Sequence, residues 1–467
     1  MANYDRLSAL DNSFLLFEKP NAYTHVASTQ IFEAGPLRLE DGGIDFEAIQ
    51  KAHAAILHRI PRYRQVLRWV PATSQPVWVD DSHFDLDFHL RHTSLPHPGS
   101  ERQLKRLSAR IMQQHVDRAK PLWETWVVEG LEGDRFAMVA KVHHCMIDGI
   151  SGVDIMQLLM SPTPDAELPT PPPFVPRPAP SGAELVRDEI MRRLSLPFEA
   201  IRDFRAFARG STDLQHELRT RLRAVANTLG ATLGSASETP INQPIGPHRR
   251  FDWFHTEIGE IKRIRKGLGG SLNDVVLTAV TGAFRRFLTD RGVSLDDLEF
   301  RVMTPVSVRS ASERGALGNR VSTWIFPLPV AVADPREQLA QIAKTTTELK
   351  ESKQAVGADV LMQAAEWTPS TILSLAARNL TRMTPFNTVV TNVPGPQQPM
   401  YMLGARLLEV YPHVPLVDNL GLGIALMSYD GRMHWGINAD RDLVPDLHEF
   451  VRALEAAVEE LRQIAGG

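Results

Sequence analysis

His143-His144-Cys145-Met146-Ile147-Asp148-Gly149 follows directly on the apolar run Phe136-Ala137-Met138-Val139-Ala140-Lys141-Val142. A strand that ends in two histidines invites three chemical readings. A metal site fits poorly. Adjacent side chains on an extended chain point apart, the sequence has one cysteine, and no glutamate completes a zincin pattern. A Cys–His nucleophile fits little better, because Cys145 directly follows His144 and a lone cysteine is usually a small buried apolar residue. A general base fits well: a neutral imidazole, with an unperturbed pKa of about 6.5, can take a proton from a hydroxyl at physiological pH. Asp148, followed by Gly149, would then tighten the turn and orient the loop rather than touch substrate. The bland alternative is a pair of satisfied core histidines. The pattern HHxxxDG, with five fixed positions out of seven, favours chemistry over that alternative.

Working outward, Trp126–Val128 and Phe136–Val142 are predicted strands, and Glu132-Gly133-Asp134 between them predicts a hairpin. Much further on, Ser271-Leu272-Asn273-Asp274 has capping-box form. A helix with Val275, Val276, Ala279, Val280, Ala283, Phe284 and Phe287 inward should follow. Further strands fit Phe300–Val308, Trp324–Val330 and Thr388–Asn392, and a last hairpin fits Ile424–Tyr429 and Arg432–Ile437 around Asp430-Gly431. Pro162–Pro180 holds nine of the 33 prolines, which excludes a helix interior or central strand and predicts a semi-rigid linker. A long ordered surface loop is the competing reading.

Residues 183–234 then carry Leu214, Leu218, Leu222, Val225, Leu229 and Leu233 on one helical face. Such helices either pack on the body of the protein or lie at a lipid interface. Strands and helices alternate on both sides of this connector. The expected organisation is therefore α/β, with units at 1–160 and 251–467 joined by a Pro-rich linker and helical connector at 161–250.

Composition narrows the function. The 467 residues are 43% hydrophobic and 23% charged, with a net charge of −4. That balance excludes a duplex nucleic-acid binder resting on basic excess. One cysteine excludes an internal disulfide and any Cys-rich metal or cluster site. The first residues lack the pattern of a secretory signal, and no apolar run approaches the ~18–20 residues of a spanning helix. A cytoplasmic protein, soluble or peripherally bound to membrane or lipid droplets, is expected.

HHxxxDG is the signature of the CoA-dependent acyltransferase superfamily, which includes chloramphenicol acetyltransferase-like enzymes and condensation domains. The ordered set of further motifs resembles one branch, the wax ester synthase/acyl-CoA:diacylglycerol acyltransferase (WS/DGAT) family. Leu7-Ser8-Ala9-Leu10-Asp11 with Phe14-Leu15 resembles that family's start, and Pro121-Leu122-Trp123-Glu124 its PLW segment. Asn273-Asp274-Val275-Val276-Leu277 resembles its ND segment. Pro305–Arg309, Gly318-Asn319, Asn392-Val393-Pro394-Gly395-Pro396 and the closing hairpin with Tyr429, Gly431, Gly436 and Asp440 resemble its later blocks.

The resemblance implies two chloramphenicol-acetyltransferase-like domains, each a mixed sheet with helices, and an active-site channel between them. It implies that His144 is the base and that the acceptor hydroxyl attacks the acyl-CoA thioester directly, with His143 in support. Asp148 would orient the loop through an ion pair with Arg309 or Arg62. Asn273 is the oxyanion or positioning candidate, although helix-start chemistry shared with Asp274 would account for it equally. Gly149, Pro121, Leu122 and Trp123 are candidates for structural support or channel wall. No metal or cofactor is expected, since acyl-CoA is a substrate. The acceptor is expected to be a fatty alcohol or diacylglycerol. The rival readings are a carrier-protein-dependent condensation enzyme and a non-catalytic lipid-droplet protein of the same fold.

Overall fold

The computed structural model describes residues 3–71, 73, 75–146, 152–195, 235–307, 321–351 and 385–466. Asp148, Gly149, Arg309 and the leucine face from Leu214 to Leu233 lie outside the described residues.

Two six-stranded sheets organise the chain. The first holds, in spatial order, Tyr401–Met402, Ala405–His413, His25–Glu33, Arg135–His143, Trp123–Leu131 and Leu90–Ser94. Neighbours are antiparallel except Leu90–Ser94, which runs parallel to Trp123–Leu131. The second holds Val321–Pro327, Arg301–Ser307, Thr388–Pro394, Leu422–Tyr429, Arg432–Asp440 and Arg249–Glu257. It too is mixed, with Thr388–Pro394 parallel to both neighbours. A small sheet of Asp5–Arg6, Pro76–Asp80 and Gln65–Trp69 stands apart. The α/β class with two mixed sheets is as expected.

The predicted hairpins form. Trp123–Leu131 pairs with Arg135–His143, and Leu422–Tyr429 with Arg432–Asp440. Asp430 and Gly431 both take positive φ, 43° and 79°, as a two-residue turn of this hand demands. The helix Leu272–Asp290 starts with the expected capping box: the Ser271 hydroxyl accepts from the Asp274 N–H, and Asp274 reaches back to the Ser271 N–H. Val275, Val276, Val280, Phe284 and Phe287 are buried in the core of the second sheet. Helices Pro335–Glu351 and Leu447–Gly466 pack beside it.

Two further features tie distant parts of the chain together. First, Ala405–His413 comes late in the chain yet pairs with His25–Glu33 in the first sheet. The first sheet therefore takes strands from both sides of the 161–250 connector. The crossing is tight: a Cβ at Gly436 would lie 2.0 Å from the Pro412 carbonyl oxygen, so only glycine fits there. Second, the Pro-rich stretch is docked. Arg177 donates to the Asp80 carboxylate from its main chain and its guanidinium, and Phe174 lies under Arg64. The helix at 182–195 follows, with Leu185 buried against Val66, Val77 and Val79 of the small sheet and the adjoining Val70. This first part of the connector packs on the body of the protein.

Candidate active site

The strand Arg135–His143 delivers His143, and a single 3-10 turn, His144–Met146, follows at once. The change from strand to turn gives the two rings different partners. His143 is fully buried. Its main-chain N–H donates to the Leu122 carbonyl at 2.9 Å, and its Nδ1 accepts from the Cys145 N–H at 3.1 Å. Its Nε2 lies 3.1 Å from Glu18 Oε1 and 3.3 Å from Thr24 Oγ1. His144 donates its main-chain N–H to the Thr24 carbonyl at 2.8 Å, and its ring stacks on Phe14. The His144 Nδ1 is buried without a hydrogen-bond partner. Burial lowers the His144 pKa to about 4, against a smaller upward pull from its own main chain. The imidazole is thus neutral at physiological pH, the form a base requires.

Cys145 is buried, and burial together with Asp11 and Glu18 pushes its thiol well above the usual range. A thiolate nucleophile is disfavoured there.

Three distant segments meet around this turn. Leu7 and Leu15 of the N-terminal motif, Leu122 and Trp123 of the PLW segment, and Cys145 and Met146 share one apolar cluster. Trp123 donates its indole N–H to the Tyr63 carbonyl at 2.9 Å, and its ring stacks on Tyr63 and His89. Leu122 and Trp123 therefore brace the turn by packing and by the Leu122 carbonyl, while Pro121 begins the corner.

Glu18 was not visible as a site residue in the sequence. Its carboxylate accepts from the Thr24 N–H at 2.9 Å and from Arg118, and faces His25 and His115 at 3.8 Å. Burial would raise its pKa, but His143, His25 and Arg118 together hold it at about 2. Glu18, His25 and His143 each bring one possible ligand atom within 4.8 Å of the others. A divalent cation there would sit beside the Arg118 guanidinium, which already neutralises the only carboxylate of the three. The chemistry of this set fits a hydrogen-bond network better than a metal centre.

The second-half candidates form a separate pair. Asn273 Oδ1 accepts from Asn392 Nδ2 at 2.7 Å, joining the ND segment to the NVPGP segment. Asp274 is buried and takes a further hydrogen bond from Thr346 Oγ1 at 2.8 Å. It serves the helix start. Arg62 reaches Gln65 at 2.7 Å and Asp5 at 3.9 Å, and lies over Trp78.

Residues 7–276 match the wax ester synthase/diacylglycerol acyltransferase catalytic domain, more than half of the chain. The chain belongs to this family. Residues 317–462 match the WS/DGAT C-terminal domain. A Mycobacterium tuberculosis relative named a probable diacylglycerol O-acyltransferase is 31% identical over 465 residues, covering 99% of this chain and 96% of that protein. Another from the same organism, also named for that activity, is 32% identical over 98% of this chain and 90% of its own length. The WS/DGAT structure from Marinobacter aquaeolei VT8 superposes with a TM-score of 0.68 at 26% identity, covering 99% of this chain and 100% of that one. A condensation domain of the calcium-dependent antibiotic synthetase shares the fold, with a TM-score of 0.60 at 14% identity over 100% of this chain and 97% of that one. Membership of the WS/DGAT family makes this chain an acyl-CoA-dependent acyltransferase, as the sequence resemblance implied.

Proposed function

We propose that this WS/DGAT protein transfers a long-chain acyl group from acyl-CoA to the hydroxyl of a fatty alcohol or diacylglycerol, with His144 as general base. The observation that carries the proposal is the placement of His144, clamped at its main chain by Thr24 and on one ring face by Phe14, where burial favours the neutral imidazole. The hydroxyl proton passes to His144 as the oxygen attacks the thioester carbonyl. The tetrahedral intermediate collapses by breaking the C–S bond, and the imidazolium returns the proton to the departing thiolate, giving ester and free CoA. Asn273 is the donor candidate for the oxyanion, and Asp148 the loop anchor. No covalent acyl-enzyme is needed, consistent with the raised pKa of Cys145.

The test is direct. Purified protein is given palmitoyl-CoA with hexadecanol or with a diacylglycerol, and products are identified by mass spectrometry. Ester with either acceptor, lowered about 10²–10⁴-fold by His144→Ala, supports the proposal. Free fatty acid alone, or undiminished ester from folded His144→Ala, refutes it.

Such acceptors are nearly insoluble, and among the described residues no helix is long and apolar enough to cross a membrane. We propose peripheral contact with a membrane or droplet surface through the connector. Its described part offers Ile190, Met191 and Leu194 outward, each more than half exposed, beside Pro71 and Val186. Flotation with liposomes tests this. Ile190→Asp/Leu194→Asp should float less than the parent, and equal flotation would remove this face from the contact.

A further inference from the structure

We infer that Glu18 is a positioning residue for acyl transfer: its carboxylate selects the tautomer of His143, and His143 in turn holds the turn that aims His144. The inference rests on the reading of His144 as the base. It concerns a residue that none of the chain's motifs contains.

Glu18 caps the C-terminal end of the helix Ala9–Phe17. The short stretch from Phe14 to Thr24 therefore supplies three holds on the two histidines. Phe14 covers the His144 ring, the Thr24 carbonyl takes the His144 N–H, and Glu18 meets His143. The stretch is itself tied together, because Thr24 donates its hydroxyl to the Phe14 carbonyl at 3.0 Å and its N–H to Glu18. Arg118 binds the other carboxylate oxygen from across the fold.

The chemistry of a neutral imidazole makes this arrangement directional. It has one donor and one acceptor nitrogen. In His143, Nδ1 accepts from the Cys145 N–H, so the proton is on Nε2. An ionised carboxylate can only accept, and Glu18 Oε1 lies at 3.1 Å to receive that proton. In the other tautomer, Nδ1–H would face the Cys145 N–H donor to donor, and Nε2 would face the carboxylate acceptor to acceptor. Both bonds would be lost, and the His144–Met146 turn would lose its brace. Glu18 meets His143, whereas Phe14 and Thr24 hold His144. Its effect passes through His143.

The experiment compares Glu18→Ala, Glu18→Gln and His144→Ala in the full chain, with palmitoyl-CoA and whichever acceptor the parent esterifies. Glu18→Ala should lower kcat about 10²-fold, the scale of a misaimed catalytic group, with the KM for palmitoyl-CoA little changed. Glu18→Gln, whose side-chain oxygen still accepts from Nε2–H, should recover most of that loss. If Glu18→Ala does not fold, Glu18→Met keeps the volume without the acceptor and carries the same expectation. Parental kcat in the acceptor-free variant overturns the inference, and so does an equal loss in Glu18→Gln. Loss of activity that tracks the melting temperature and vanishes on cooling also overturns it. Undiminished turnover by His144→Ala is a different failure, which removes the base beneath this inference.

Discussion

The Phe14 ring lies nearly parallel to that of His144, with centroids 3.8 Å apart and an interplanar angle of 19°. One face of the base is therefore covered by a residue 130 positions earlier in the chain, on the helix Ala9–Phe17. Burial of this kind is what lowers the His144 pKa to about 4.

That relationship has a kinetic signature. The base works as the neutral form, so the parent should lose kcat/KM on the acid side only as pH falls through about 4. Phe14→Ala admits water to the ring and stabilises the imidazolium, moving the pKa up toward the ordinary value of about 6.5. At pH 5 to 6 the variant should be selectively impaired, and near pH 8 it should approach the parent. Coincident pH profiles would refute the assignment of this stack.

Cys145 should be chemically quiet. Its thiol is buried and its pKa is raised by burial and by nearby carboxylates. Cys145→Ala should retain most activity, and intact-mass spectrometry after mixing with acyl-CoA alone should find no adduct. A stoichiometric acyl group on Cys145 would replace direct transfer with a two-step scheme.

The Asn273–Asn392 hydrogen bond predicts coupling between two motifs. With its oxygen engaged by Asn392, the Asn273 amide is oriented for donation elsewhere. If that amide serves the reaction, Asn273→Ala and Asn392→Ala should each lower kcat, and the double variant should be no worse than Asn273→Ala alone. Strictly additive losses would separate the two roles.

Arg177 should pin the Pro-rich stretch. Burial works to raise the Asp80 pKa, yet the bonds from Arg177 and Gln65 depress it to about 2. A depressed carboxylate pKa stabilises the docked state above about 3.8, and that contribution fades as pH falls toward about 2. At neutral pH, Arg177→Ala should be cut faster than the parent by added protease between residues 162 and 180. Fragment masses over time would report it, and unchanged cutting would show that Phe174 and the neighbouring contacts suffice.

What was legible in the sequence follows the range of the interactions involved. Hairpins and the capped helix at 272 are local, and their turn and cap residues announce them. The strand expected at Trp324–Val330 instead spans Val321–Pro327. Leu328 and Val330 are buried outside the ladder, so apolarity alone carried the expectation too far. His143 and His144 were legible because their spacing to Asp148 is a motif. Glu18 and His25 were not, because a lone acid at a helix end and a lone histidine in a strand have many ordinary explanations. The pairing of His25–Glu33 with Arg135–His143 sets His25 opposite His143, and Glu18 reaches both rings from the end of the helix Ala9–Phe17. The docked linker was hidden for the same reason, since Arg177 and Asp80 are meaningless as a pair until the chain is folded.

The strand Ala405–His413 bears on how this chain is made. Until it arrives, His25–Glu33 is an open edge, with a row of main-chain donors and acceptors unpaired and the buried residues Ile31 and Phe32 on either face. A ribosome releases this edge early and its partner only after most of the chain has emerged, so the nascent N-terminal half must wait in an adhesive state. Truncations before residue 405 should therefore aggregate rather than yield a soluble catalytic half, and heterologous production should benefit from chaperones that shield exposed strands.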